Sequence, residues 1–180
     1  MRYSLKGNKV YFDEFFYLDL NKQTIQEFNL KDREEITLEE YRELVRRRAE
    51  SMGYFLLNKR DYSEKELYLK LLSKYREKDI IKFVIEKFIE LGYLNDYDYA
   101  ESYINSHNYS KKKLEFMLIQ KGIKGSVIKE LLADHNSQEL EEIRKQWERL
   151  GNKDKEKKIL SLMRKGFEYS DIQKVIKDLE

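Results

Sequence analysis

The sequence predicts a mainly α protein, an elongated and curved array of three tandem three-helix repeats behind a small N-terminal antiparallel β extension. Three observations predict it. Apolar residues recur at helical spacing from Thr37 to the end of the chain. Helix-start and helix-stop signals punctuate that pattern at regular intervals. The punctuated pattern then returns with nearly constant register, as stacked supersecondary units require.

The first 36 residues stand apart. Val10, Tyr11, Phe12, Phe15, Phe16, Tyr17 and Leu18 are aromatic or branched and favour strands. Phe16, Leu18 and Leu20 alternate with Tyr17 and Asp19, which is period two, and Gly7-Asn8 and Asn21-Lys22 read as turns. A β-meander follows, and it should pack on a neighbour because a lone hairpin is marginal in water.

The first helical round opens with a capping box at Thr37 and Glu40. Its first stripe is Tyr41, Leu44, Val45, Arg48, Ala49, Met52 and Leu56. Ser63 and Glu66 make a second capping box, followed by Leu67, Leu71 and Leu72. Ile80, Ile81, Val84, Ile85, Phe88 and Leu91 form the third stripe, stopped by Gly92. In round two, Asn95-Asp96 caps a helix carrying Tyr99, Ala100, Tyr103 and Ile104. Ser110 caps Leu114, Met117 and Leu118, closed by Gly122, and Val127, Ile128, Leu131 and Leu132 complete the round. Round three runs through Leu140, Ile143, Trp147 and Leu150, then Ile159, Leu162 and Met163 up to Gly166. Ile172, Val175, Ile176 and Leu179 end it, after a capping box at Ser170 and Gln173.

The register is consistent. A shift of 47 residues carries Ser63 onto Ser110, Leu67 onto Leu114, Leu71 onto Leu118, Lys74 onto Lys121 and Ile81 onto Ile128. A shift of 44 carries Leu118 onto Leu162, Lys121 onto Lys165, Gly122 onto Gly166 and Ile128 onto Ile172. The expected organisation is therefore a β extension over 1–36 and repeats over 37–94, 95–136 and 137–180.

Composition narrows the function classes. The apolar fraction of 41% suffices for a core, while the 39% charged residues, with both signs interspersed, read as solvated helix faces. The absence of proline permits long helices. The absence of cysteine excludes disulfides, thiol nucleophiles and thiolate metal sites. No secretory leader and no apolar run long enough for a bilayer is apparent, so a cytoplasmic protein without a membrane role is expected. Net charge is only +2, but residues 1–40 carry six basic and nine acidic side chains and residues 41–95 thirteen and nine. Phosphate contacts, if made, must come from local patches.

Catalytic chemistry is poorly supplied. His107 and His135 stand outside any metal-binding spacing, and no phosphate-cradling glycine loop is present, so no catalytic residue, metal or cofactor is expected. Asp96 and Asp98 suit the first turn of a helix, where the dipole favours acids, better than a two-metal site. Arg46-Arg47-Arg48 reads as a solvated helix face, of which only part can point one way. Lys111-Lys112-Lys113 opposes the dipole at a helix start, a local cost that suggests an anionic partner. Lys153, Lys155, Lys157 and Lys158 occupy the matching place in round three. Cations thus gather near the start of each second helix, either as a contact stripe for phosphates or an acidic protein groove, or as a solubility device. Tyr41, Tyr99 and Tyr103 fall on apolar stripes and read as core with a hydrogen-bonding tip.

Three phrases carry a family resemblance. Leu57-Asn58-Lys59-Arg60-Asp61-Tyr62-Ser63-Glu64-Lys65-Glu66-Leu67 resembles the leucine, arginine, serine, glutamate, leucine phrase of RecX proteins. Leu91-Gly92-Tyr93-Leu94-Asn95-Asp96 with Ala100, and Leu118-Ile119-Gln120-Lys121-Gly122-Ile123, are similar to the next two signatures, in order and spacing. The resemblance covers about residues 37–180, and the strand-rich start is like the extension of some members. It implies tandem three-helix units without catalysis. It further implies binding in the groove of the RecA–DNA filament, touching protein and DNA, and inhibition of recombinase, ATPase and coprotease activity; a monomer is the expected state. The family's groove-facing cations correspond to Arg60 and Lys121. The chain departs from the family at Asn105, Ser106 and His107, where a basic residue is common, and at Ser110, where glycine is common. With the charge layout, the candidate partner- or DNA-binding set is Lys59, Arg60, Lys111, Lys112, Lys113, Lys121, Lys124 and Lys165. The competing reading is a helical protein that binds naked DNA directly, and a nuclease ranks last.

Overall fold

The alternation at Phe16, Leu18 and Leu20 builds one side of a three-stranded antiparallel sheet, β1 (Ser4–Lys6), β2 (Lys9–Tyr11) and β3 (Tyr17–Asp19), in the order β1-β2-β3. The computed structural model describes residues 1–133 and 135–179, and the side chains of all of these except 135–138. Gly7 turns β1 into β2 with φ +63°. Val10 sits directly across from Leu18, and both are fully buried.

Asn21-Lys22 is not a turn. The Asn21 side chain accepts the Thr24 N–H and caps α1 (Lys22–Glu27), a helix of six residues. Such a helix spans too few turns to print a periodic stripe, and only Ile25 on it is buried. The segment after it returns to the N-terminus: Tyr3 N–H donates to Glu34 O at 3.1 Å, and the Met1 amino group to Ile36 O at 2.6 Å.

The first repeat is α2 (Leu38–Leu57), α3 (Glu64–Tyr75) and α4 (Lys78–Glu90). Both expected capping boxes form, at Thr37/Glu40 and Ser63/Glu66. The sheet packs on this repeat, and one core joins Val10, Phe16 and Leu18 with Leu44, Val45, Leu67, Ile81 and Phe88. Residues Met1–Leu94 form one compact unit. Gly53 lies inside α2, where a Cβ would strike the Phe88 ring, so its lack of a side chain lets α4 approach. Leu91 is not core. Gly92 takes φ +74°, Gly92 N–H bonds to Ile89 O and Tyr93 N–H to Phe88 O. This left-handed turn throws Leu91 outward and brings Leu94 into the core.

Residues Asn95–Glu180 form the second compact unit. It holds α5 (Asp96–Ser106), α6 (Lys111–Gln120), α7 (Gly125–Leu131), α8 (His135–Arg149), α9 (Lys155–Arg164) and α10 (Tyr169–Leu179). Asn95 and Ser110 cap α5 and α6 as expected. The Ser170–Gln173 box does not exist, because α10 already begins at Tyr169 and its Ile172 N–H bonds to Glu168 O. Leu140, Met163 and Leu179, assigned to apolar stripes, are exposed. The repeat register otherwise sets the cores: Leu71, Leu118 and Leu162 are fully buried, as are Ile81 and Ile172, and Ile128 is nearly so.

No helix among the described residues is long and apolar enough to cross a membrane.

Candidate interaction surface

The lysines at the start of α6 lie at a junction between two helix ends. Ser110 N–H donates to Lys165 O at 3.0 Å, and the Lys113 ammonium donates to Arg164 O at 2.5 Å. The N-terminus of α6 therefore meets the C-terminal carbonyls of α9. Each end supplies the partial charge that the other lacks. Lys111 N–H donates to the Glu139 carboxylate at 3.2 Å, and Lys112 reaches Glu168 at 3.5 Å. The anionic compensation that the lysine triplet demanded is thus supplied within the unit itself. Lys113 also lies 4.2 Å from the Tyr109 ring centre, while Lys112 points outward, with 85% of its side chain exposed.

Lys165 turns inward. Its ammonium hydrogen-bonds to the buried Gln146 side-chain carbonyl, whose amide donates to Asn108 O at 3.1 Å and Glu142 Oε1 at 2.8 Å. Burial pushes the Lys165 ammonium below the usual lysine range, partly opposed by the Glu142 carboxylate. The Lys121 ammonium stands 5.1 Å from the Tyr103 ring centre and 5.5 Å from that of Tyr99. Lys124 is exposed at the residue before α7.

In the first unit, Lys59 and Arg60 precede the Ser63 cap. Lys59 Nζ is 4.2 Å from the Phe55 ring centre. Arg60 stacks 3.6 Å over Tyr62, donates to Asp61 O at 2.8 Å and lies 3.6 Å from Glu66. Both side chains are exposed.

In the Arg46-Arg47-Arg48 run, the first two are not simply solvated but ion-paired. Arg46 pairs with Glu43 and Glu50 at 2.7 Å each, and Arg47 with Glu43 at 2.7 Å and Glu27 at 2.8 Å. Lys87 on α4 closes the set on Glu50 at 3.0 Å. These pairs tie α1 and α4 to α2. The Arg46 hydrogen bond holds the Glu43 carboxyl below the usual range, and the Glu27 and Glu43 hydrogen bonds push Arg47 upward.

The His107 ring stacks on Tyr103 at 4.0 Å and bonds through Nδ1 with Tyr103 O at 2.8 Å. The side chain of His135 lies outside the described residues. Asp96 and Asp98 occupy the first turn of α5, where Asp98 accepts the Asn95 amide at 2.8 Å. Tyr41 is buried with its hydroxyl on Glu77 at 2.9 Å, an apolar body with a satisfied tip. Among the described residues, no group of three or more His, Asp or Glu is placed to hold a metal ion.

Sequence reading passed over one set of surface residues. Leu69, Phe116 and Leu160 are large, apolar and exposed, and they stand at one register of the repeat. The shifts of 47 and 44 residues, applied off the core stripe, would have found them.

No family model matches the chain. The chain is similar to the regulatory protein RecX of Clostridioides difficile, 30% identical over 187 residues, covering 94% of this chain and 88% of that protein. It is 26% identical over 178 residues to the RecX of Caldanaerobacter subterraneus subsp. tengcongensis, covering 93% and 90% of the two chains. Among solved structures, RecX from Lactobacillus salivarius superposes with a TM-score of 0.57 at 26% identity, covering 75% of this chain and 96% of that one. A second crystal structure, of a regulatory protein RecX, superposes with a TM-score of 0.54 at 18% identity over 98% of both chains, a likeness of fold.

Proposed function

Because the chain belongs to the RecX family of regulatory proteins, we propose that it binds in the helical groove of the RecA–DNA filament and lowers its recombinase, ATPase and coprotease activity. The observation that carries this reading is the likeness over 94% of the chain to a protein with that regulatory name. In this reading the chain acts as a monomer in the cytoplasm, by occupancy and without catalysing a reaction.

The contact set we propose is Lys59 and Arg60 in the first unit and Lys112, Lys121 and Lys124 in the second. Lys113 and Lys165 then serve the unit itself, through the ammonium contacts with Arg164 and Gln146. A net charge of +2 suits a protein that docks mainly on protein and touches few phosphates.

The test is direct. RecA filaments on single-stranded DNA are titrated with the chain, and filament length and ATP hydrolysis are read. Shorter filaments and slower hydrolysis are expected, and no change in either would overturn the proposal. Binding to naked DNA discriminates the competing reading. Each phosphate contact adds about 0.9 to the log–log salt slope on duplex DNA. A steep slope on naked duplex, with no preference for filaments, would favour a direct DNA-binding protein.

A further inference from the structure

Arg48 is the member of its arginine run that has no acid. Arg46 pairs with Glu43 and Glu50, and Arg47 with Glu43 and Glu27, but among the described residues no carboxylate pairs with Arg48. Its place on α2 makes that costly. Leu44 and Val45 one turn earlier and Ala49 beside it are fully buried, and Arg48 is half-buried at the edge of their stripe. Arg48 Nε is buried without a hydrogen-bond partner, and Nη1 donates only a long bond, 3.4 Å, to Ser51 Oγ. A guanidinium taken out of water needs a partner to offset the loss of hydration. Arg33 and Arg144 also bury an unpartnered Nε, but each holds a carboxylate, Glu40 at 2.6 Å and Asp178 at 3.6 Å.

Arg48 instead lines a cavity of about 270 Å³, which lies within the first compact unit. Arg48 and Ser51 of α2 form one wall, and Asn21, Gln23 and Thr24 at the start of α1 form the other. A single water needs only roughly 10–15 Å³. The wall is rich in donors. Asn21 commits its side-chain oxygen to Thr24 N–H at 2.7 Å, which leaves its amide NH2 as the unbonded end. Gln23 adds an amide, and Thr24 and Ser51 add hydroxyls. One acid, Glu27, also lines the cavity, but Arg47 holds both its oxygens, at 2.8 and 2.9 Å. That pair cancels, so the uncompensated charge at the cavity is that of Arg48. Asp19 on β3 acts electrostatically on Tyr75, as Arg48 does, yet it is exposed and pairs with no cation among the described residues.

We propose that this cavity is a phosphate site, in which the Arg48 guanidinium grips two oxygens of a phosphate group and Ser51 and the Asn21 amide donate to the others. A guanidinium fork matches phosphate and carboxylate alike. Donors on two opposed walls suit four tetrahedral oxygens better than the two coplanar oxygens of a carboxylate. The phosphate belongs to a free nucleotide or to a nucleic-acid backbone. The site fills without RecA, so it stands or falls separately from the filament reading.

Thermal melts and titration calorimetry on the full chain test it, with inorganic phosphate as the probe and chloride and acetate at matched ionic strength as controls. Phosphate should bind once per chain and raise the melting midpoint saturably, as a ligand of the folded state does. Arg48→Gln should weaken binding by about tenfold or more, the loss expected for hydrogen bonds to a charged group. Arg48→Lys keeps the charge without the fork and should fall between the two. Ser51→Ala, at an exposed position, should fold normally and bind about threefold more weakly. Without phosphate, Arg48→Gln should melt no lower than the parent, because it removes a cation that has no counter-charge. Displacement of phosphate by an oligothymidylate but not by thymidine monophosphate would assign the group to a nucleic-acid backbone, and the reverse to a free nucleotide; either supports the site. A parent that does not bind phosphate, equal binding by parent and Arg48→Gln, or acetate that matches phosphate would overturn it. So would a loss of stability in phosphate-free buffer that Arg48→Gln and Asp19→Asn share non-additively, since that would show the two residues pairing with each other.

Discussion

Glu43 shows how much depends on a single carboxylate. It accepts from both Arg46 and Arg47, and these share further acids with α1 and the middle of α2. The Arg46 hydrogen bond lowers the Glu43 pKa, and the Arg33 hydrogen bond does the same to Glu40. A carboxylate whose folded pKa is depressed stabilises fully above its unfolded pKa, near 4.3 for Glu, and loses that contribution as pH falls through the lower folded value. Glu43→Gln should therefore cost about 1 kcal/mol at pH 7 and almost nothing at pH 3, as read by urea unfolding. An equal cost at both pH values would show that shape, not charge, is at stake. The sequence displayed three arginines in a row but not their partners. Glu27 lies twenty residues from Arg47 on another helix, and Lys87 comes from a third.

The helix ends lie between residue and molecule. Gly92, Gly122 and Gly166 all take positive φ after the last turn of a helix, and each closes it with the same pair of backbone bonds. These stops were legible, because glycine after an apolar stripe has a local cause. What differs is the surroundings. A Cβ on Gly92 would meet nothing within 4 Å, while one on Gly166 would lie 2.6 Å from Ser110 Oγ and 2.8 Å from Lys113 Cβ. Gly92→Ala should cost about 1 kcal/mol for the left-handed backbone alone. Gly166→Ala should cost more, about 2–3 kcal/mol, since it also forces the α6–α9 junction apart. Equal thermal shifts for the two variants would argue against that junction. The misread elements share a cause as well. The short α1 shows no period, and the Ser170 box matched a motif inside a helix that had already begun.

At the scale of the molecule, each compact unit closes its own hydrophobic clusters. The first holds every buried residue of one cluster that runs from Val10 to Leu94, and the second holds two, one around Leu118 and one around Leu162. A fragment ending at Leu94 should therefore fold alone, with helical circular dichroism and one cooperative urea transition. A fragment without a cooperative transition would mean that this core is insufficient by itself.

The sequence by itself determined the helices from Thr37 onward, most of their caps, the repeat register and the core positions it sets, because periodicity and capping are properties of neighbours along the chain. The resemblance to RecX proteins could be read there too, since its phrases combine the helix start at Ser63, the stops at Gly92 and Gly122 and the buried leucines. Only the tertiary structure decided which lysines are surface. Lys112 and Lys113 are adjacent in sequence, yet one points outward and the other caps α9. A lysine is a point charge on a flexible stem, so its partner is chosen by what lies within reach in space. For Lys113 that partner is a carbonyl 51 residues away, beyond any local pattern.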